Sequence, residues 1–229
     1  MAKGICDAGA DVIDIGLAGT EEVYAYVSEF GVCAGIEVTA SHNPIDYNGM
    51  KIVGCGSQPL TNQEFVAIKD LAEGYNFIRP PKKGAVINKK KVARAAFIEK
   101  VLSFVDCTKL KPLKIVVNSG NGAAGPTLDA INKKLIEIGI KTNFVFVHHD
   151  PDPTFPNGIP NPLLKENRSS TASAIIEEKA DFGVAFDGDF DRCFLFDHSG
   201  TFIPGEYLVG LIAEVFLRKE KGATIIHDP

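Results

Sequence analysis

Three short segments hold most of the side chains that could do chemistry. The densest is Asp187-Gly188-Asp189-Phe190-Asp191-Arg192, three carboxylates at alternating positions directly after the apolar run 182–186. Crowded carboxylates repel one another, and a hard divalent cation removes that cost; an all-oxygen donor set favours Mg²⁺, Mn²⁺ or Ca²⁺ over zinc. A solvated acidic turn is the alternative, but a position beside an apolar strand argues for carboxylates that are paired. An EF-hand loop needs Gly at its sixth position and Glu at its twelfth, and counted from Asp187 those positions hold Arg192 and His198. An aspartate-nucleophile phosphatase also places Asp-x-Asp after an apolar strand, with Asp187 then the attacking group. It usually carries Thr or Val two residues beyond the second Asp, where this chain has Asp191; that reading stays open.

The second segment is Thr39-Ala40-Ser41-His42-Asn43-Pro44. A serine at the end of a buried strand, in a turn shaped by Asn-Pro, can project its hydroxyl into a cleft; equally, Ser41 and Asn43 could only cap and turn the backbone. The nucleophile elbow G-x-S-x-G is absent around Ser41, so no Ser-His-Asp hydrolase is completed. The third segment, Gly120-Asn121-Gly122-Ala123-Ala124-Gly125, matches G-x-G-x-x-G after a strand and before a helix, with Asp150 further on. It fits a dinucleotide-binding β-α-β unit and, equally, a tight turn that needs small residues.

The elements that must position these groups alternate between strand and helix, which makes the class α/β. Short apolar runs predict strands over 11–16, 35–39, 49–53, 114–118, 143–147, 182–186, 193–196 and 224–226. Helices are expected over 20–30, stopped by Gly31, and from the Thr61/Glu64 capping box to Gly74. Further helices are expected over 88–105, 126–138, 171–179 and 205–218. Arg79-Pro80-Pro81-Lys82-Lys83-Gly84 breaks the composition and is the first candidate linker. The chain enters almost directly on a strand and stops just after another, so a sheet built from these pieces would lack neighbours at both ends.

At 229 residues, 45% of them hydrophobic and 23% charged, the chain can bury a sizeable core and is too apolar to be disordered. A net charge of −5 argues against a nucleic-acid binder or a polybasic membrane-surface protein, though not against a small pocket for an anionic substrate. No apolar run is long enough to span a bilayer, and the N-terminal residues lack a signal peptide's uninterrupted apolar stretch. Five scattered cysteines without C-x-x-C spacing suit a reducing, cytoplasmic setting.

Taken together and in this order, the Ser41 segment, Asp46-Tyr47-Asn48-Gly49-Met50-Lys51 and the 187–192 segment resemble the signature set of the α-D-phosphohexomutases. Residues 118–122 and 155–162 are similar to the same family, and the likeness runs along essentially the whole chain. The resemblance implies consecutive mixed-sheet α/β domains, incomplete at both ends. Residues 1–84 would be the remainder of a first domain with the phosphoserine loop, 85–198 a second with the metal loop, and 199–229 the opening of a third. Ser41 would be the phosphoserine. Asp187, Asp189 and Asp191 would hold Mg²⁺ with a Ser41 phosphate oxygen as a further ligand, and Lys51 would assist proton transfer. Arg192 and His42 would line the phosphate, with Asn43 beside them, and the Gly120–Gly125 turn would be structural. The implied partner is a phosphorylated hexose, mannose or glucose phosphate, whose phosphoryl group moves between C6 and C1 through a hexose 1,6-bisphosphate. Because the family's opening arginine motif, sugar-choosing loop and fourth domain are not matched, little or no turnover is expected of this chain alone.

Overall fold

The computed structural model describes residues 1–75, 77 and 80–227. In chain order the elements are α1 (Ala2–Asp7), β1 (Val12–Asp14), α2 (Thr20–Phe30), β2 (Ala34–Val38), β3 (Met50–Gly54), α3 (Asn62–Gly74), β4 (Val86–Asn88) and α4 (Lys90–Ser103). They continue as β5 (Lys114–Asn118), α5 (Ala124–Glu137), β6 (Asn143–Val147), α6 (Ser169–Glu178), β7 (Phe182–Phe186), β8 (Cys193–Phe196), β9 (Phe202–Ile203) and α7 (Gly205–Lys219). Among the described residues no helix is long and apolar enough to cross a membrane.

The principal sheet has the order β6-β5-β7-β8-β9, with β6, β5 and β7 parallel and β8 and β9 added antiparallel. After β6 the chain crosses over β5 to place β7 on its far side. The carboxyl ends of β5 and β7 therefore open side by side at the point where strand order reverses, the usual ligand crevice of an open α/β sheet. The core under this sheet is Val116, Ile175, Ala180, Ala185 and Phe196, with Val145, Phe194 and Phe202 packed around it. Helix α6 comes so close to β7 that a Cβ on Gly183 would lie 2.5 Å from the Cδ1 of Ile175.

The serine-bearing part contains two smaller ladders. β2 and β3 are antiparallel, pairing Gly35 with Val53 and Glu37 with Lys51. Side chains alternate along a strand, so these four residues share one face. Helix α2 covers that face: a Cβ on Gly35 would meet Val23 and Val27 of α2. Two local helix signals act as their chemistry demands. Thr61 and Glu64 form the reciprocal capping box of α3, and Gly31 ends α2 in the left-handed region at φ 62°.

The differences from the sequence expectations have local causes. A helix, α1, precedes β1, so the described chain does not open on a strand. Within the expected linker, Arg79 lies outside the described residues, and Pro80–Gly84 forms neither helix nor strand. Directly after it, the unforeseen strand β4 pairs in parallel with β1. Three exposed residues carry no alternation from which β4 could be read; its partner's backbone makes it a strand. Residues 224–226 form no strand, because no described strand lies beside them to complete a ladder.

Ile175 has no exposed surface and touches both sheet and helix neighbours. Ile175→Ala is expected to destabilise the chain by about 2–5 kcal/mol, read as a lower urea midpoint at unchanged slope.

Candidate active site

The turn after β2 is shaped so that Ser41 stands clear of it. The Ser41 N–H donates to Thr39 Oγ1 at 2.8 Å, and Ser41 adopts φ 55°, a left-handed backbone uncommon outside glycine. Asn43 holds this turn closed, its side-chain amide donating to the Ala40 carbonyl at 2.9 Å. Asn43 is thus a turn-forming residue here, and its side chain makes no hydrogen bond to Ser41.

The acidic loop after β7 is pinned by the starts of two helical segments. Ala123, just ahead of α5, donates its N–H to the Gly188 carbonyl at 2.9 Å, and Thr20 of α2 donates to the Asp189 carbonyl at 3.2 Å. Phe190 adopts φ 41° and lays its ring against Gly19, where any Cβ would collide with it. Gly188 in turn admits the serine turn: a Cβ there would stand 2.5 Å from the Ser41 carbonyl oxygen. A Cβ on Gly122 would stand 2.6 Å from the Gly188 carbonyl oxygen, and one on Gly125 would strike the His149 carbonyl. The glycines of the G-x-G-x-x-G turn thus admit neighbouring protein, the Pro160 side chain at Gly120 and backbone at Gly122 and Gly125, which leaves no cradle for a dinucleotide.

These approaches bring together side chains 146 positions apart. The Ser41 hydroxyl donates to Asp187 Oδ2 at 3.1 Å. Arg192 Nη2 donates to Ser41 Oγ at 2.9 Å and to His42 Nδ1 at 2.7 Å. A guanidinium only donates, so Nδ1 is the bare nitrogen of His42. The Arg192 Nε lies 3.3 Å from Asp187 Oδ2, and its backbone N–H donates to Asp187 Oδ1 at 3.2 Å. Lys51 stands on the other side of the loop, donating to Asp189 Oδ2 at 2.7 Å, Asp191 Oδ2 at 2.6 Å and Thr20 Oγ1 at 3.1 Å. Of the residues expected at the site, Ser41, His42, Lys51, Arg192 and the three aspartates converge. Lys51 faces the aspartates rather than the serine hydroxyl.

The electrostatics separate two neighbouring aspartates. Burial, then the charges of Asp189 and Asp191, push the Asp187 pKa up to about 6 although Arg192 is beside it. Burial also opposes ionisation of Asp189, but the Lys51 ammonium and the Thr39 and Thr20 hydroxyls outweigh it and hold that pKa below the ordinary carboxylate value. Burial opposes the charge of Lys51 too, and Asp189 and Asp191 more than offset it, so its pKa lies above the usual lysine value.

Oxygens from the three aspartates lie within 4.8 Å of one another, which suits an oxygen-ligated cation. Asp189 Oδ1 is buried and has no hydrogen-bond partner. A bare carboxylate oxygen costs free energy unless something positive faces it, and a divalent ion would supply that.

Three comparisons bear on this geometry. Residues 1–79 match the model of α/β/α domain I of phosphoglucomutase/phosphomannomutase, and residues 95–200 match that of domain II. The chain belongs to the phosphoglucomutase/phosphomannomutase family. It is 54% identical to a phosphomannomutase of Vibrio cholerae and 52% identical to one of Escherichia coli K12, in each case over the whole of this chain. It spans about half the length of these relatives, 49% and 50% respectively. Among solved structures it is similar to a family protein of Burkholderia thailandensis, at 32% identity and TM-score 0.83, covering 97% of this chain and 48% of that one.

The sequence reading missed Thr20 and Glu37. Thr20, 1% exposed, looked like a helix opener, yet its hydroxyl donates to Asp189 Oδ2 at 3.1 Å while accepting from Lys51. Glu37 lies across the ladder from Lys51; burial, then Asp189 and Glu22, raise its pKa to about 7. An acid between Ile36 and Val38 in a short apolar strand was the available signal.

Two outcomes test the assembly. Mg²⁺ at about a hundred times its Kd is expected to stabilise the chain by about 2.7 kcal/mol, seen as a higher unfolding midpoint that Asp189→Asn abolishes. Gly188→Ala is expected to cost about 1–3 kcal/mol and to weaken Mg²⁺ binding in calorimetry, because the serine turn must retreat.

Proposed function

We propose that this chain carries the phosphoserine and metal half of a phosphohexomutase site. In the whole protein the reaction would convert mannose 6-phosphate to mannose 1-phosphate through a hexose 1,6-bisphosphate. The carrying observation is the Ser41 hydroxyl held between Asp187 Oδ2 and Arg192 Nη2. The names of the Vibrio cholerae and Escherichia coli relatives support mannose phosphate as the substrate.

The chain's own groups divide the work. Ser41 Oγ is the nucleophile: it bonds to phosphorus as the phosphorus–oxygen bond to the sugar breaks. Its hydrogen bond to Asp187 Oδ2 orients the hydroxyl, and the proton that Ser41 loses passes to the departing sugar oxygen with Lys51 assisting the transfer. Arg192 donates to phosphate oxygens, His42 helps to orient its guanidinium, and Asn43 keeps the turn closed. Phosphoserine carries about −1.5 to −2 charges, so it needs this positive surround. Mg²⁺ on Asp187, Asp189 and Asp191 would neutralise the carboxylates and stabilise charge on the transferring group. Reversal onto the other sugar oxygen restores Ser41.

Asp187 as a phosphatase nucleophile is disfavoured by its position. It is wholly buried, both its oxygens are hydrogen-bonded, and Ser41 covers it.

Incubating the chain with hexose 1,6-bisphosphate and Mg²⁺ is expected to place phosphate on Ser41, identified by peptide mass spectrometry. Ser41→Ala should carry none, and Arg192→Ala should slow labelling by about 10²–10³-fold. Unlabelled Ser41, or hydrolysis that survives Ser41→Ala, would turn the assignment toward the aspartate-nucleophile reaction.

A further inference from the structure

Lys51 bridges the same two carboxylates, Asp189 and Asp191, that the proposed cation requires. A divalent ion on that group spends the carboxylates' attraction for the ammonium and repels it directly. The Lys51 side chain is only 28% exposed, so its ammonium needs another anion nearby.

The candidates can be separated. Glu22 is engaged by Arg94 Nη1 at 3.4 Å and by the Thr127 hydroxyl. Asp187 faces Ser41 and Arg192 and belongs to the metal group itself. Glu21, in the first turn of α2, also feels the charges of Asp191 and Lys51, but it is solvent-exposed and does not stand opposite Lys51 in the ladder. Glu37 remains. It is the cross-strand partner of Lys51, on the face of the β2–β3 ladder that α2 covers. Directly opposed side chains have Cβ atoms about 4.5–5.5 Å apart, within easy reach of a lysine. Among the described residues Glu37 has no hydrogen bond or ion pair of its own, and it already lies in the field of Lys51.

Resting on the metal reading above, we infer that Glu37 is the alternate partner of Lys51. When a divalent cation occupies Asp187, Asp189 and Asp191 in the unphosphorylated chain, the Lys51 ammonium leaves the aspartates and pairs with Glu37 across the ladder. Glu37 is thereby a positioning residue: it parks the ammonium that Asp189 and Asp191 otherwise immobilise, and keeps it next to the site.

The test is calorimetric titration of Mn²⁺ and of Mg²⁺ into the full chain, checked by mass spectrometry to be unphosphorylated, as wild type, Glu37→Gln, Lys51→Met and the double variant. Glu37→Gln is expected to weaken binding about fivefold, the worth of one well-placed ion pair, and Glu21→Gln to leave it unchanged. In the Lys51→Met background the Glu37 effect should shrink to less than about twofold, since no ammonium then needs a partner. An equal loss in both backgrounds, or none in either, overturns the exchange while leaving the metal site standing. Failure of the wild type to bind either ion overturns both. A crystal structure of the Mn²⁺-loaded wild type is independent of how the variants fold. It should place Lys51 Nζ within about 4 Å of the Glu37 carboxylate; an ammonium still on Asp189 and Asp191 refutes the exchange.

Discussion

Three carboxylates within 4.8 Å of one another, two of them buried, cannot all be charged unless cations stand among them. That constraint organises the rest of the structure. The loop supplies one cation itself, Arg192, and the serine-bearing part supplies the other, Lys51. Each serves a different side of the loop, which is why neighbouring aspartates titrate in opposite directions. Asp189, gripped by Lys51 and Thr20, stays ionised easily; Asp187, deeper and faced by a less intimate guanidinium, does not. Two monovalent cations still leave Asp189 Oδ1 bare, so the protein's own charges bring the loop close to balance without completing it.

Charge alone does not bring the two parts into register; the absence of side chains does. Gly188 lets the backbone of the serine turn rest on the acidic loop, Gly122 lets that loop rest on the start of α5, and Gly19 leaves room for the Phe190 ring. The residues that pay for this are Ser41 and Phe190, both held in left-handed backbone that costs an ordinary residue about 1–3 kcal/mol. Such strain persists only where the surroundings over-determine it: backbone hydrogen bonds from Thr20 and Ala123 fix the loop that carries Phe190, and Thr39 and Asn43 fix the turn that carries Ser41. The geometry that exposes the Ser41 hydroxyl is therefore a consequence of packing around three glycines rather than a property of the turn alone.

Much of this was legible in the letters because the signals are local. Short apolar runs marked β5, β6 and β7 to the residue, and the Thr61–Glu64 pair marked the start of α3. The charged triplet announced a cation site because its spacing is short. The parts that escaped depend on long-range pairing. β4 is a strand only because β1 lies beside it, and residues 224–226, apolar enough to suggest one, have no such neighbour. Thr20 belongs to the site only because the loop folds back on α2, and nothing adjacent to it in sequence says so. Glu37 is the intermediate case: an acid in an apolar strand is visible as an anomaly, but its meaning appears only once Lys51 is placed opposite.

Helix α2 links the site to its scaffold over a single turn. Thr20 reaches Asp189 and Lys51, while Glu22, two residues on and 4% exposed, is bound by Arg94 of α4 and Thr127 of α5. Burial raises the Glu22 pKa in spite of those partners, so its charge is held against a desolvation cost. Apolar side chains of similar volume could fill the same space at no loss of stability. They would not fix the rotation of α2, however, because hydrophobic contact has no direction and a hydrogen-bonded carboxylate does. The value of the cluster lies in that direction: with Glu22 fixed on α4 and α5, the first turn of α2 has one azimuth, and Thr20 meets the carboxylate that Lys51 holds.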